Sequence, residues 1–300
     1  MAGSRKYRVD TVLITGASSG IGEALAKRFA RGGHPLVLVA RNRVRLEALA
    51  ASLAAEHGVK VWVQPADLTR PGATRALALA LKRRRIAIDV LVNNAGVLEQ
   101  GAFISQPPRR HQELIDLNVS GLTGMLAQFL PPMCERGYGR VLNVASIAAF
   151  QPLPMLATYA ATKAFVLSLT ESLAEELGDC GVTVTALCPG ITATNMLSSA
   201  TKANARLTKL PRFLIGEVDM VADEGYQACM QGVVIKIPGA LNQAVSLAAR
   251  ATPKWLLRRI AGALARGAGS GNDGDHQAFS RHLRAAGAGH QRRPGRVALD

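Results

Sequence analysis

Cysteine is scarce in this sequence, and the few cysteines are far apart. They are Cys134, Cys180, Cys188 and Cys229, and no two of them form a C-x-x-C pair. This spacing argues against a structural zinc site and against a disulfide framework, and it is typical of a protein from the reducing cytosol. The six histidines also lack the spacing of metal ligands. We therefore expect no metal site.

Long apolar runs are missing as well. No stretch reaches the ~18 consecutive apolar residues of a membrane-spanning helix. The first residues lead directly into a strand-like segment and do not have the pattern of a signal peptide. These absences predict a cytoplasmic protein.

Acidic residues are few relative to basic ones. The 36 Lys and Arg against 21 Asp and Glu give a formal net charge of +15. Such an excess is typical of proteins that bind nucleic acid or an anionic membrane. The basic residues are spread along the chain, however, and the run 82–85 is more typical of a solvated helix end. We expect no nucleic-acid partner, although a cofactor-sensing or nucleic-acid-binding protein without catalysis remains an alternative.

Short β-branched runs alternate with longer amphipathic stretches through most of the chain. This alternation predicts an α/β fold, a doubly wound parallel sheet of the Rossmann type, in a single domain at residues 1–237. The strand-like runs have the continuous apolar character of strands buried on both faces. They are Thr11–Thr15, Leu36–Ala40, Val59–Gln64, Val90–Asn93, Arg140–Ala145, Thr183–Cys188 and Val233–Ile237, and the clearest helices are Gly22–Arg31, Arg43–His57 and Tyr159–Leu177.

The C-terminal part departs from this pattern. Residues 238–266 have helical spacing, with Thr252 as an N-cap and Pro253 at the first helical position. The apolar and basic faces of 252–266 suit peripheral contact with an anionic bilayer at the inner membrane face, or docking on the domain or on a second subunit. Residues 267–300 have few large apolar side chains, and we expect a disordered tail there.

A glycine-rich turn follows the first strand and opens the first helix. It reads Thr15-Gly16-Ala17-Ser18-Ser19-Gly20-Ile21-Gly22. Glycines allow the backbone to approach a pyrophosphate closely, and the helix N-terminus offers free N–H groups and the positive end of its dipole. The spacing T-G-x-x-x-G-x-G differs from G-x-G-x-x-G. An ordinary tight turn is the alternative interpretation.

With this spacing the chain resembles the short-chain dehydrogenase/reductase family from Thr11 to Ile237. Further motifs follow in the family's order: Asn93-Asn94-Ala95-Gly96, Asn118, Ser146, Tyr159 and Lys163 in Y-x-x-x-K, and Pro189-Gly190. The resemblance implies oxidoreduction with a nicotinamide cofactor, and commonly a homo-oligomer formed through the helix that carries Tyr159. It implies cofactor contacts from Gly16, Ser18, Ser19, Gly20, Ile21, Gly22, Asp67, Leu68, Asn94, Ala95, Gly96, Tyr159, Lys163, Pro189, Gly190, Thr192 and Thr194.

The residue after the second strand bears on the choice of cofactor. Arg41 stands 19 positions after Gly22, with no acidic neighbour, where an acidic residue usually binds the ribose 2′-hydroxyl of NAD. A guanidinium instead pairs with a 2′-phosphate. We therefore expect NADP(H) in preference to NAD(H). The alternatives are that Arg41 only faces water, and that the enzyme is an NAD-linked alcohol dehydrogenase.

Four residues carry the expected chemistry. Tyr159 and Lys163 are four apart in a predicted helix, so they project from the same face. A phenol with a pKa of ~10 can protonate a nascent alkoxide if nearby positive charge lowers that pKa. We expect Lys163 and the positively charged oxidised nicotinamide both to act in that direction. The resemblance implies that Lys163 also holds the nicotinamide ribose, that Ser146 binds the substrate oxygen, and that Asn118 positions a water.

The substrate side is predicted from apolar loops after the strands. The segment 195–216 is the expected lid, and a second wall is expected from Leu98, Phe103, Gln151, Leu153 and Met155. These residues favour a hydrophobic carbonyl or alcohol substrate, such as a fatty acyl chain or a steroid-like ring. Packing of the same side chains on the domain core is the alternative. The sequence thus predicts an NADP-dependent reductase of a hydrophobic carbonyl compound.

Overall fold

The structure is a computed structural model and describes residues 9–190, 217–253, 255–259 and 262. Within these residues seven parallel strands form one sheet. They are β1 (Val12–Thr15), β2 (Leu36–Ala40), β3 (Val61–Pro65), β4 (Val90–Asn93), β5 (Gly139–Val144), β6 (Val182–Leu187) and β7 (Ile235–Lys236). Their order is β3-β2-β1-β4-β5-β6-β7. The predicted α/β class and the doubly wound parallel sheet are confirmed.

Helices cover both faces of the sheet. They are α1 (Gly20–Arg31), α2 (Arg43–His57), α3 (Ala73–Arg83), α4 (Pro108–Ile115), α5 (Leu122–Glu135), α6 (Ala157–Glu176), α7 (Val218–Gln231) and α8 (Ala240–Ala251). Among the described helices, none combines the length and the apolar character that crossing a bilayer requires. The architecture is therefore three layers, helix on sheet on helix.

Alternating side chains of each strand supply two separate cores. Val12 and Ile14 of β1 pack in the layer that includes α1 and α7. Leu13, between them, points to the opposite layer with α3, α5 and α6. This period of two explains why the strands read as continuous apolar runs, since both faces are buried.

The strand order reverses direction between β1 and β4. The chain first adds β2 and β3 on one side of β1, and then returns to place β4 on the other side. Loops that leave the carboxyl ends of β1 and β4 therefore diverge, and they leave a crevice where ligands bind in open α/β sheets. This topology places the glycine-rich turn and the N-N-A-G segment at the same crevice.

The predicted strand boundaries agree with the first six strands to within two residues. The seventh is shorter than the predicted Val233–Ile237, because only Ile235 and Lys236 pair with β6. As an edge strand it has a neighbour on one side only. The predicted helix Arg43–His57 is confirmed as α2.

The predicted helical stretch 238–266 is interrupted in the structure. Helix α8 ends at Ala251, and helical residues resume at 255–259. The break follows from Pro253, which disfavours helical backbone at the preceding residue. Thr252 is extended, and its hydroxyl donates to the Ala248 carbonyl at 2.7 Å, so it closes α8. The predicted lid 195–216 and the tail 267–300 lie outside the described residues.

A tight contact joins the turns that precede β5 and β6. The two strands pair from their first residues, Gly139 with Val182. Gly181 has a φ of +68°, and a Cβ on it would overlap the carbonyl oxygen of Gly137. Both conditions exclude a side chain at Gly181, so this glycine keeps the two strand starts in register.

We predict that Gly181→Ala lowers the free energy of unfolding by about 3 kcal/mol, because it adds a backbone clash to the ~1–2 kcal/mol of left-handed strain. Gly58→Ala is the matched control, since Gly58 has a φ of +65° with open space around its Cβ position. Urea denaturation of both variants measures the difference. Equal losses in the two variants would show that the Gly137 contact relaxes without cost.

Candidate active site

The glycine-rich turn between β1 and α1 is attached to the end of β4. The side-chain amide of Asn94 donates to the carbonyls of Thr15 at 3.0 Å and Gly16 at 3.3 Å. This amide also lies where a Cβ on Gly22 would stand, so only glycine fits there. The turn is held open by contacts inside the protein, and the N–H groups that begin α1 remain available for a ligand.

Thr15 has a role that the sequence motifs did not assign. Its buried hydroxyl accepts hydrogen bonds from the backbone N–H groups of Asn94 and Ala95, each at 3.0 Å, and donates to the Val92 carbonyl at 3.3 Å. Thr15 therefore binds the N-N-A-G segment to the end of β1. A hydroxyl at the last position of a strand, directly before the glycine turn, was the available signal.

A cavity of about 640 Å³ opens at the carboxyl ends of the strands. This volume is in the range of ligand-binding clefts. Most of the predicted site residues line it: Gly16, Ser18, Ser19, Gly20, Ile21, Arg41, Asp67, Leu68, Asn94, Ala95, Gly96, Ser146, Tyr159, Lys163, Pro189 and Gly190. Gly22 and Asn118 support the cavity from behind its lining. Thr192 and Thr194 lie outside the described residues.

Arg41 and Asp67 stand at the end of this cavity next to the glycine-rich turn. Asp67 accepts hydrogen bonds from the Thr69 hydroxyl at 2.8 Å and the Thr69 N–H at 3.2 Å. These bonds, with the nearby charges of Arg41 and Arg70, hold the pKa of Asp67 below its ordinary value. Asp67 therefore closes a local turn and also lines the cavity, and it does not cap α3.

Three of the predicted catalytic side chains meet at the opposite end of the cavity. Tyr159 and Lys163 lie one turn apart on α6, with the Lys163 Nζ 5.8 Å from the centre of the Tyr159 ring. The Tyr159 hydroxyl is hydrogen-bonded to Ser146, which follows β5. The Lys163 ammonium donates to the Val144 carbonyl at 2.8 Å. Helix α6 and the end of β5 thus bring the two hydroxyls and the ammonium together.

Burial dominates the acid–base properties of this group. Tyr159 is 8% exposed, and burial raises its pKa above the ordinary value, opposed by the hydrogen bond from Ser146. In the chain by itself burial outweighs any lowering of the Tyr159 pKa, so the expected effect of Lys163 together with the oxidised nicotinamide stays a prediction. Burial also lowers the pKa of Lys163 to about 8. In both groups the buried surroundings disfavour the charged form.

Asn118 lies in a π-helical turn, Asp116–Gly121, between α4 and α5. Its amide exchanges two hydrogen bonds with the backbone of Val97, at 2.9 and 3.0 Å, and donates to the Thr162 hydroxyl at 3.1 Å. Gly96 passes close by, since a Cβ there would stand 3.2 Å from Asn118 and 3.5 Å from the Lys163 Nζ. Asn118 thus joins the loop after β4 to α6, with Thr162 as a partner that the motifs did not predict.

The second wall of the substrate side is partly as predicted. Leu98, Gln151 and Leu153 line the cavity, and so do Gln100, Leu117, Ala148 and Leu156. Phe103 and Met155 do not line it, which corrects the prediction. Phe103 is 59% exposed and stacks on His111 with 4.2 Å between ring centres, and Met155 is 44% exposed. The stacking on His111 turns Phe103 to the outer surface of its loop.

A further reactive side chain lies behind this site. Cys188 is completely buried, and it is close enough to Lys163 to act on the pKa of that lysine, which it raises against the larger effect of burial. Within the described ranges, no cluster of three or more His, Cys, Asp or Glu side chains could hold a metal ion.

Known proteins match the chain over this fold and site. The family model for short chain dehydrogenase matches residues 10–205. Oxidoreductase UcpA of Escherichia coli is 37% identical over 190 residues, which are 63% of this chain and 72% of that protein.

Two solved structures are similar throughout the described domain. The short-chain dehydrogenase from Sphingobium yanoikuyae in complex with NADPH has a TM-score of 0.69 and 38% identity, covering 82% of this chain and 97% of that chain. The bulky-bulky ketone specific alcohol dehydrogenase from Comamonas testosteroni has a TM-score of 0.67 and 34% identity, covering 82% of this chain and 95% of that chain.

We predict that the stability of the wild type relative to Lys163→Met rises between pH 8 and pH 10.5. The folded protein releases the Lys163 proton near a pKa of about 8, against 10.5 for a free lysine. The unfolded chain therefore binds more protons in this window, and the gain is as much as about 3 kcal/mol. Urea denaturation across the window measures it, with the exposed Lys82→Met as control. A pH-independent difference would contradict the lowered pKa.

Proposed function

The chain belongs to the short-chain dehydrogenase family, and from this premise we propose that it is an NADP(H)-dependent reductase of hydrophobic ketones or aldehydes. One observation carries the proposal. Ser146, Tyr159 and Lys163 line the same cavity as the glycine-rich turn and Arg41, and the strand order puts the end of β5, with Ser146, and the end of β2, with Arg41, on opposite sides of the β1–β4 crevice. A dinucleotide that spans such a cavity has its phosphates at the turn and its reactive ring beside the tyrosine.

The residues expected to hold the adenosine half of the cofactor favour NADP(H) over NAD(H). The first N–H groups of α1 and the side-chain-free glycines of the turn suit a pyrophosphate. Arg41 can pair with a 2′-phosphate, and no carboxylate follows β2 to repel it. The neighbouring Asn42 is occupied as the N-cap of α2, where it accepts from the Arg45 N–H at 3.0 Å. Arg41 is therefore the residue that we assign to the phosphate.

The nicotinamide end supports reduction of a carbonyl group. When bound, NADPH supplies a hydride to the carbonyl carbon. The Tyr159 phenol donates a proton to the carbonyl oxygen, and the Ser146 hydroxyl orients that oxygen by a hydrogen bond. Because burial opposes the Tyr159 phenolate, the transfer needs a compensating positive charge, and the chain's own source is the Lys163 ammonium one turn along α6.

Two buried partners keep the ammonium in place for this role. The Val144 carbonyl accepts its hydrogen bond, and Asn118 holds the loop that passes beside the Nζ. With a pKa of about 8, Lys163 is mostly protonated at neutral pH. We assign Ser146, Tyr159 and Lys163 as catalytic residues and Asn118 as a positioning residue.

The substrate wall supports a hydrophobic carbonyl compound. Leu98, Leu117, Leu153 and Leu156 line the cavity, and Leu98 and Leu153 also pack in the apolar cluster that contains Tyr159. The similar alcohol dehydrogenase from Comamonas testosteroni is specific for bulky-bulky ketones, which agrees with a wide apolar wall. An aliphatic chain or a fused ring next to the carbonyl group fits this surface better than a sugar does.

A cytosolic location, a homo-oligomer and contact of 252–266 with a membrane stay predictions from the sequence. The described part of that segment leaves Trp255 largely exposed, beside exposed Arg258 and Arg259. This arrangement is compatible with each of the surfaces considered for it: a bilayer, the domain itself or a second subunit.

We predict that Arg41→Asp weakens NADPH binding by about 100-fold, because a charge-assisted hydrogen bond is replaced by repulsion. NADH binding should weaken at most slightly. Arg43→Asp is the local control, since Arg43 pairs with Glu47 on α2 at 2.7 Å and does not line the cavity. Calorimetric titration of both dinucleotides measures the effects. Equal losses in the two variants would indicate a general charge effect and not a phosphate contact.

We predict that the protein oxidises NADPH with bulky hydrophobic ketones and far less with sugars of similar size. Tyr159→Phe should lower kcat by about 10²–10⁴-fold, as expected for the loss of a general acid. Tyr226→Phe is the matched control and should keep its activity, since Tyr226 lies on α7 beside His34. A preference for sugars would overturn the substrate class, and an active Tyr159→Phe enzyme would overturn the mechanism.

A further inference from the structure

Two cysteines lie side by side at the amino end of the sheet. Cys134 is in the last turn of α5, and Cys180 stands two residues before β6. Both are free, half-buried thiols, and their side chains interact with each other. They pack on the same core layer. The pair is therefore in contact and also within reach of small solutes.

The backbone imposes this contact. Strands β5 and β6 pair from Gly139 and Val182 onward, so the turns that precede them lie next to each other. The turn with Gly137 closes on the Cys134 carbonyl at 2.9 Å, and Gly181 packs on the Gly137 carbonyl. Sheet register thus brings the backbone positions of the two cysteines close together, and the thiols that they carry interact.

We propose that Cys134 and Cys180 form an oxidation-sensitive dithiol site, which a hydroperoxide converts into an intrachain disulfide. One of the two cysteines, as its thiolate, attacks one peroxide oxygen, the O–O bond breaks, and the leaving hydroxide takes up a proton. The other thiol then attacks the sulfur of the resulting sulfenic acid and loses its proton, an S–S bond forms, and the S–O bond breaks with release of water. With hydrogen peroxide, two thiols are oxidised and one peroxide becomes two waters.

The surroundings of this pair differ from those of the other two cysteines. Burial raises the pKa of Cys134, and its interaction with Cys180 adds to the rise. Either sulfur of the pair can act as the attacking thiolate, and its neighbour then acts as the resolving thiol. The other two cysteines are completely buried, and burial raises the pKa of Cys229 to about 12. Neither competes for the oxidant in the folded protein.

The position of the pair indicates what the disulfide would change. It would close the chain segment 134–180, which carries Ser146, Tyr159 and Lys163. The thiols precede β5 and β6, whereas the cavity lies where these strands end. We therefore expect the disulfide to stabilise the fold with little effect on the reaction. This inference does not depend on the proposed substrate or cofactor.

The test uses the reduced full-length chain, treated with hydrogen peroxide and then with N-ethylmaleimide. Chymotrypsin cleavage after Leu187 separates Cys180 from Cys188, so mass spectrometry can identify the linked peptides. We expect a Cys134–Cys180 disulfide and a rise in Tm of about 5 °C over the reduced protein. Cys134→Ser and Cys180→Ser should show neither, and kcat should change less than about twofold.

Two outcomes would overturn the proposal. One is recovery of both thiols as separately alkylated or overoxidised residues after peroxide treatment. The other is a disulfide between chains, seen as a dimer on a non-reducing gel. The linked peptides are sought in the wild-type protein, so this measurement decides the matter even if a serine variant fails to fold.

Discussion

The attachment of the glycine-rich turn to the end of β4 is the constraint on which the site depends. The Thr15 hydroxyl and the Asn94 amide join two loops that the strand order would otherwise let diverge. Because these bonds form within the protein itself, this end of the cavity is shaped without any contribution from a ligand. A preorganised turn needs little rearrangement when a ligand binds. Less of the binding free energy is then lost to ordering the turn, and more remains to orient the reactive ring of the proposed cofactor.

The other end of the cavity depends on a conflict between burial and charge. Burial disfavours both the Tyr159 phenolate and the Lys163 ammonium. The ionised form of each side chain is therefore less stable in the protein alone than in water. The two charges have opposite sign and lie one helical turn apart, so each relieves the other when a proton leaves the phenol. Exclusion of water destabilises each isolated charge. It also strengthens the attraction between the phenolate and the ammonium, because the local dielectric constant is low.

Much of the fold and site could be predicted from the sequence, because local patterns determine them. The apolar strand runs and the extent of helix α2 depend on residues that are neighbours in the chain. The same is true of the glycine-rich turn and of the spacing of Tyr159 and Lys163. The remaining features arise from contacts distant in sequence. The π-helical turn at Asn118 follows from its bonds to Val97 and Thr162, and Phe103 leaves the cavity because it stacks on His111. The contact between the thiols of Cys134 and Cys180 follows from the register of two strands, which no spacing of cysteines reveals.

The two-residue length of β7 has a consequence for how copies of this protein meet. A long, flat edge strand offers unpaired backbone groups as a template on which another chain can add a strand. Here one edge of the sheet is reduced to Ile235 and Lys236, and the other, β3, ends in Pro65, which has no N–H to donate. Among the residues that the structure describes, both margins of the sheet therefore carry a feature that disfavours backbone pairing with a second copy.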